Sequence, residues 1–145
     1  MKKICYVFLC LLLIWFTFDM TGLAIGNILL VEQAIKSDGF WWFIFIVAIL
    51  LFIVKEKAGK YVLSIFILLW AIIQYFSHWN YTLFGVSDEK LQSYNKYFKE
   101  THQLIPSKET ILVPDLYHII LHVLIVINLI LLTVFVLRKN NTSTR

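Results

Sequence analysis

The sequence predicts an all-α integral membrane protein. Four transmembrane helices have both termini on the cytoplasmic side, and the extracytoplasmic loop carries one short amphipathic helix. Three observations carry this. Of the 145 residues, 60% are hydrophobic and 15% charged, with a mean hydropathy of +0.78, where a soluble domain has about 45–50% and 25%. The apolar residues come in blocks, giving spans over 4–24, 40–56, 61–78 and 115–137 within a single domain 1–145. The third observation is where the charge lies. With four spans, one side carries eight basic residues against one acid, a net +7, and the other five against eight, a net −3. Lysine and arginine near span ends favour the cytoplasm, so the termini are expected inside. The formal charge of +4 is therefore a topology signal. The expected partners are the lipid bilayer and a membrane protein or a second copy of the chain, with no nucleic acid.

Met1-Lys2-Lys3 and the apolar run Ile4–Phe18 share the plan of a secretory signal peptide, with Gly22-Leu23-Ala24 as a small-residue cleavage site. The run continues past Asp19 through Leu23–Val31, where Gly22 and Gly26 stand at GxxxG spacing, which favours a retained helix. Cys5 and Cys10 both lie in this block. Five residues apart on a helix they point in different directions, so no internal disulfide is expected. No CxxC pair exists, which removes thiol–disulfide exchange. Glu32–Gly39 reads as a polar turn. Phe40–Val54 follows as the second span, with Trp41 and Trp42 at one interface and Lys55 and Lys57 at the other. Lys55–Lys60 reads as a tight basic loop, and Tyr61–Phe76 as the body of the third span.

The loop 79–114 follows. Ser87 is a good N-cap, and Asp88 and Glu89 suit a first helical turn. Leu91, Tyr94 and Phe98 recur at helical spacing, so 88–100 reads as an amphipathic helix packed on the protein or lying on the membrane. Pro114 suits the first position of the last helix and Asp115 its first turn.

The sharpest feature is Asp115-x-x-His118-x-x-x-His122, whose spacings of three and four put all three side chains on one helix face. Helix rise places His122 about 9 Å and Asp19 about 8 Å inside the same boundary. Gln74 and His78 reach that level on the third helix. Asp19, Gln74, His78, Asp115, His118 and His122 are thus expected to converge in the outer half of the bundle. Polar groups in a membrane are costly unless paired, so they face the interior.

Three uses compete for the cluster. One is a structural hydrogen-bond network, such as Asp19 with His122. The second is a metal or haem site using His118, His122 and Asp115. The third is proton-coupled transport or pH sensing. No HExxH, GxSxG or phosphate-binding glycine loop accompanies the cluster. The chain also lacks the mid-membrane acid of small four-span exporters. The expectation is a non-enzymatic accessory, sensor or immunity-type protein without a cofactor, acting through its loop and helix contacts. The alternative is a metal- or haem-dependent membrane enzyme or proton-coupled carrier. A multi-pass place in a plasma membrane, bacterial in kind, is expected from size and the lack of organelle signals.

Overall fold

A computed structural model describes residues 1–97, 101–105 and 111–142, with the backbone alone for Tyr97 and 139–142. The elements run α1 (Lys2–Thr21), β1 (Leu23–Ile25), β2 (Ile28–Val31), α2 (Ile35–Val54), α3 (Glu56–Gln74), a π-helical turn (Tyr75–Trp79), α4 (Asn80–Phe84), α5 (Asp88–Tyr97) and α6 (Leu116–Thr142). Four helical stretches, Lys2–Thr21, Ile35–Val54, Glu56–Phe84 and Leu116–Arg138, are long and apolar enough to cross a membrane. α1 packs against α2 and α6, and α3 against the same two. α1 and α3 therefore face each other across the diagonal, where the Phe16 and Trp70 rings meet at 4.6 Å. Phe45, Phe52, Leu9, Leu12, Leu63, Ile67, Ile125 and Leu132 are almost wholly buried in this core.

The first helix ends earlier than the apolar run suggests. Gly22 caps α1 with φ +73°, its N–H bonded to the Phe18 carbonyl at 2.7 Å. Gly26, φ +60°, begins the two-residue turn of an antiparallel hairpin pairing Ile25 with Ile28. A glycine at positive φ followed by Asn27 at negative φ is the type II′ pattern that matches strand twist. The expected GxxxG helix contact is thus replaced by a cap and a turn. Both glycines are used for a backbone conformation that other residues rarely adopt.

The hairpin folds back over α1. Asp19 O accepts from Ala34 N at 2.8 Å, and Gln33 Nε2 donates to Met20 O at 3.0 Å. On its other edge Leu29 pairs with Thr101, and the His102 carbonyl accepts from Leu116 N at 3.0 Å, so the returning loop ties the hairpin to α6. This end of the bundle is called the loop end below.

Other boundaries also shift. α2 begins at Ile35, not Phe40, so Asp38 and Gly39 are helical. The expected loop Lys55–Lys60 shrinks to Lys55, because Ala58 N and Gly59 N close a turn on the Lys55 carbonyl at 3.1 and 2.8 Å. Lys2 Nζ meets Glu56 Oε2 at 2.6 Å, fastening the start of α1 to this corner. The third helical stretch runs on to Phe84, 29 residues or about 43 Å by helix rise. That exceeds a hydrocarbon core of about 30 Å, and the surplus is a platform at the loop end. On it rests α5, where Leu91 and Tyr94 pack with Leu112, Tyr81 and Val86. Of the expected apolar face, Phe98 lies outside the described residues. Pro114 stands two residues before α6 rather than in its first position.

Candidate functional site

Asp115 caps α6. Its Oδ1 accepts the backbone N–H of His118 at 2.9 Å and the His118 ring Nδ1–H at 2.7 Å. One carboxyl oxygen therefore fixes the helix start and the imidazole together. Asp115 is 1% exposed. Burial alone would raise its carboxyl, but the bonds and charge of His118, with Thr101 beside it, outweigh burial and hold it below the usual carboxylate range. A carboxyl depressed in the folded state stabilises the fold above its unfolded value and stops doing so as pH falls through the folded one. Acid should accordingly lower the melting temperature of the detergent-solubilised protein below about pH 4. In Asp115→Asn the cap survives, since asparagine caps as well as aspartate, and that acid limb should flatten. Asp115→Ala should cost a further 0.5–2 kcal/mol, roughly, for the lost cap. An unchanged acid limb in Asp115→Asn would show that the carboxylate charge is unimportant to the fold.

His122, one turn further along α6, has both ring nitrogens engaged. Trp79 Nε1–H donates to Nδ1 at 2.7 Å, so the other nitrogen carries the hydrogen and donates to Gln74 Oε1 at 2.9 Å. The π-helical turn makes this possible. From this turn Trp79 reaches His122 while His78 packs beside the rings of His118 and His122. His78, buried, lies 4.4 Å from the His118 ring and 5.3 Å from the His122 ring, centroid to centroid. Its Nδ1 meets the Tyr94 hydroxyl of α5 at 3.2 Å. Burial, and then the charge of Asp115, push the Tyr94 phenol up, so it stays protonated and keeps that contact.

Five of the six expected residues are thus brought together. The sixth, Asp19, is buried at the same end and lines the cavity beside Asp38 of α2, while both ring nitrogens of His122 are taken by Trp79 and Gln74. The expected metal ligands do not share one point. His118 is turned to Asp115, and His122 to Trp79 and Gln74. Among the described residues no group of three or more His, Cys, Asp or Glu side chains is disposed to hold a metal ion.

What the residues enclose is a cavity of about 230 Å³ inside the bundle, with a smaller one of about 60 Å³ under the hairpin. Asp19, Asp38, Tyr117 and His118 form the wall common to both. Tyr117 is 2% exposed, and its buried hydroxyl has no hydrogen-bond partner among the described residues. Its ring is held from behind by Trp15, stacked at 5.7 Å and donating through Nε1 to the Tyr117 carbonyl at 3.1 Å. Ser77 lines the larger cavity beside His78. The arrangement can hold a small polar group.

Asp38, Tyr117 and Trp79 are residues of this candidate site that sequence reasoning missed. The depth arithmetic that finds Asp19 also finds Asp38, once the second helix starts at Ile35. Trp79 has no such signal, because its direction depends on the π-helical turn. Compared with known protein families, with characterised proteins and with solved structures, the chain has no match.

Proposed function

We propose that this chain is a non-enzymatic, sensor-type membrane protein that receives a small ligand in its loop-end cavity. It spans a plasma membrane, bacterial in kind, four times, with both termini cytoplasmic and the cavity facing out. The observation that carries this reading is that polar lining is confined to the loop end. Toward the other end the helices close on Phe45, Phe52, Leu63 and Ile125, each at most 1% exposed. Asn128, the buried polar residue in that half of α6, donates through Nδ2 to the carbonyls of Phe8 and Leu124, and its Oδ1 has no hydrogen-bond partner among the described residues. A chamber polar at one end and sealed by packed side chains at the other suits reception better than passage. The Tyr94–His78 bond links the chamber wall to α5, so occupancy can be passed to the outer surface as a change in how α5 sits.

The test is sided thiol labelling in sealed vesicles, with Cys5 and Cys10 replaced by alanine. A membrane-impermeant maleimide should modify Lys96→Cys on α5 and Ser77→Cys at the cavity from outside. Leu132→Cys, in the sealed half, should react from neither side. Labelling of Lys96→Cys only after permeabilisation would invert the topology. Labelling of Ser77→Cys from both sides would replace the sensor by a carrier.

A further inference from the structure

The two cavities are walled by four acids, Asp19, Glu32, Asp38 and Asp115, and by no lysine or arginine. Asp115 is hydrogen-bonded to His118. Asp19 and Asp38 have no Lys or Arg ion partner among the described residues. Both carboxyls line the larger cavity as well as the smaller one. Beside them stands the Tyr117 hydroxyl, buried and without a hydrogen-bond partner among the described residues, although buried polar atoms are nearly always satisfied.

The lining has two layers, and every wall repeats the order. On α1 Asp19 is followed three residues deeper by Phe16, and on α2 Asp38 by Trp41. On the other walls Gln74 stands above Trp70, and Tyr117 above Leu121. A step of three or four residues is about 5 Å by helix rise, so a polar ring lies about one turn above an aromatic and aliphatic floor. The volume of about 230 Å³ exceeds the roughly 150 Å³ that accommodates benzene in an apolar protein cavity. Ile73 completes the wall beside Gln74.

We infer that the chamber binds a small amphiphilic monoamine, its ammonium group held by Asp19, Asp38 and the Tyr117 oxygen and its apolar body resting on Phe16, Trp41 and Trp70. This rests on the sensor reading above and supplies its ligand class. An ammonium donates to both carboxyls and to the phenol oxygen, completing Tyr117. The ring faces below attract the same positive charge and cover the apolar body. An inorganic cation would gain nothing from such a floor, and the donor set lacks the grouping a metal requires.

The experiment follows tryptophan fluorescence of the full chain in phosphatidylcholine nanodiscs, with protein-free discs subtracted. 2-Phenylethylamine, cationic at pH 7, is the probe, and 2-phenylethanol its neutral isostere. Saturable quenching by the amine is expected, with the alcohol weaker by about tenfold or more, the worth of a charge-assisted hydrogen bond. Asp19→Asn should weaken the amine by a similar factor and leave the alcohol unaffected, while Tyr117→Phe should cost the amine several-fold. Equal binding of amine and alcohol by the unmodified protein would overturn the inference whatever the variants do. So would displacement of the amine by millimolar sodium or magnesium, which would make this an inorganic cation site. Protection of Ser77→Cys from outside labelling by the amine would support it. An accessible Ser77→Cys with no amine binding would refute the ligand class alone. Labelling of that cysteine from both sides would instead refute the sensor reading.

Discussion

Gly59→Ala is expected to unseat the corner between α2 and α3 and to be the most damaging single-methyl change in the chain. A Cβ built on Gly59 falls inside contact distance of the Phe52 backbone and 2.5 Å from the Leu51 carbonyl oxygen. The obstacle is main chain inside a helix, so no side chain can swing aside to relieve it. Overpacked sites typically cost about 1–3 kcal/mol, and a backbone clash belongs at or above the upper end. The effect should spread, because Phe52 is fully buried and packs against Tyr6 of α1 and Phe135 of α6. Ala58→Gly, next door and exposed, is the control and should cost about 1 kcal/mol or less. Equilibrium unfolding in mixed micelles reads both. Equal losses for the two variants would show that the helices separate freely at this corner.

The second large effect is expected at His122. Truncation to alanine strands the Trp79 N–H and the Gln74 amide together and leaves a void between α3 and α6. Each stranded group costs about 1–3 kcal/mol if buried and unpaired, so a total of about 3 kcal/mol is expected. The double variant with Gln74→Ala should show a coupling between about 0.6 and 1.7 kcal/mol, the average and upper values measured for polar pairs between membrane helices. Combined with Asp19→Asn, the change should instead be additive to within about 0.5 kcal/mol, because both ring nitrogens of His122 are taken by Trp79 and Gln74. A strong Asp19–His122 coupling would mean that these two side chains meet after all. The unfolding assay for Gly59 serves here too.

Four helical stretches of membrane-spanning length, and the gathering of Asp115, His118, His122, Gln74 and His78, were legible from residue type and spacing. The reason is that helical geometry converts sequence intervals directly into shared faces and depths. The amphipathic pair Leu91 and Tyr94 was legible on the same ground. What spacing cannot reach is contact across elements. Gly22 and Gly26 fit a helix–helix motif by interval, yet both take positive φ, because the chain turns back at Gly22 instead of extending. Asp19 was placed at the right depth and given the wrong partner. Depth is a coordinate along one helix, whereas partnership depends on the rotation of two. Asp38 entered the site only because α2 starts a turn earlier than its apolar run, and Trp79 reaches His122 from the π-helical turn. The cavity and the buried Tyr117 hydroxyl belong wholly to the tertiary structure. An enclosed space between four helices is set by how their side chains fail to fill it, and no single helix carries that information.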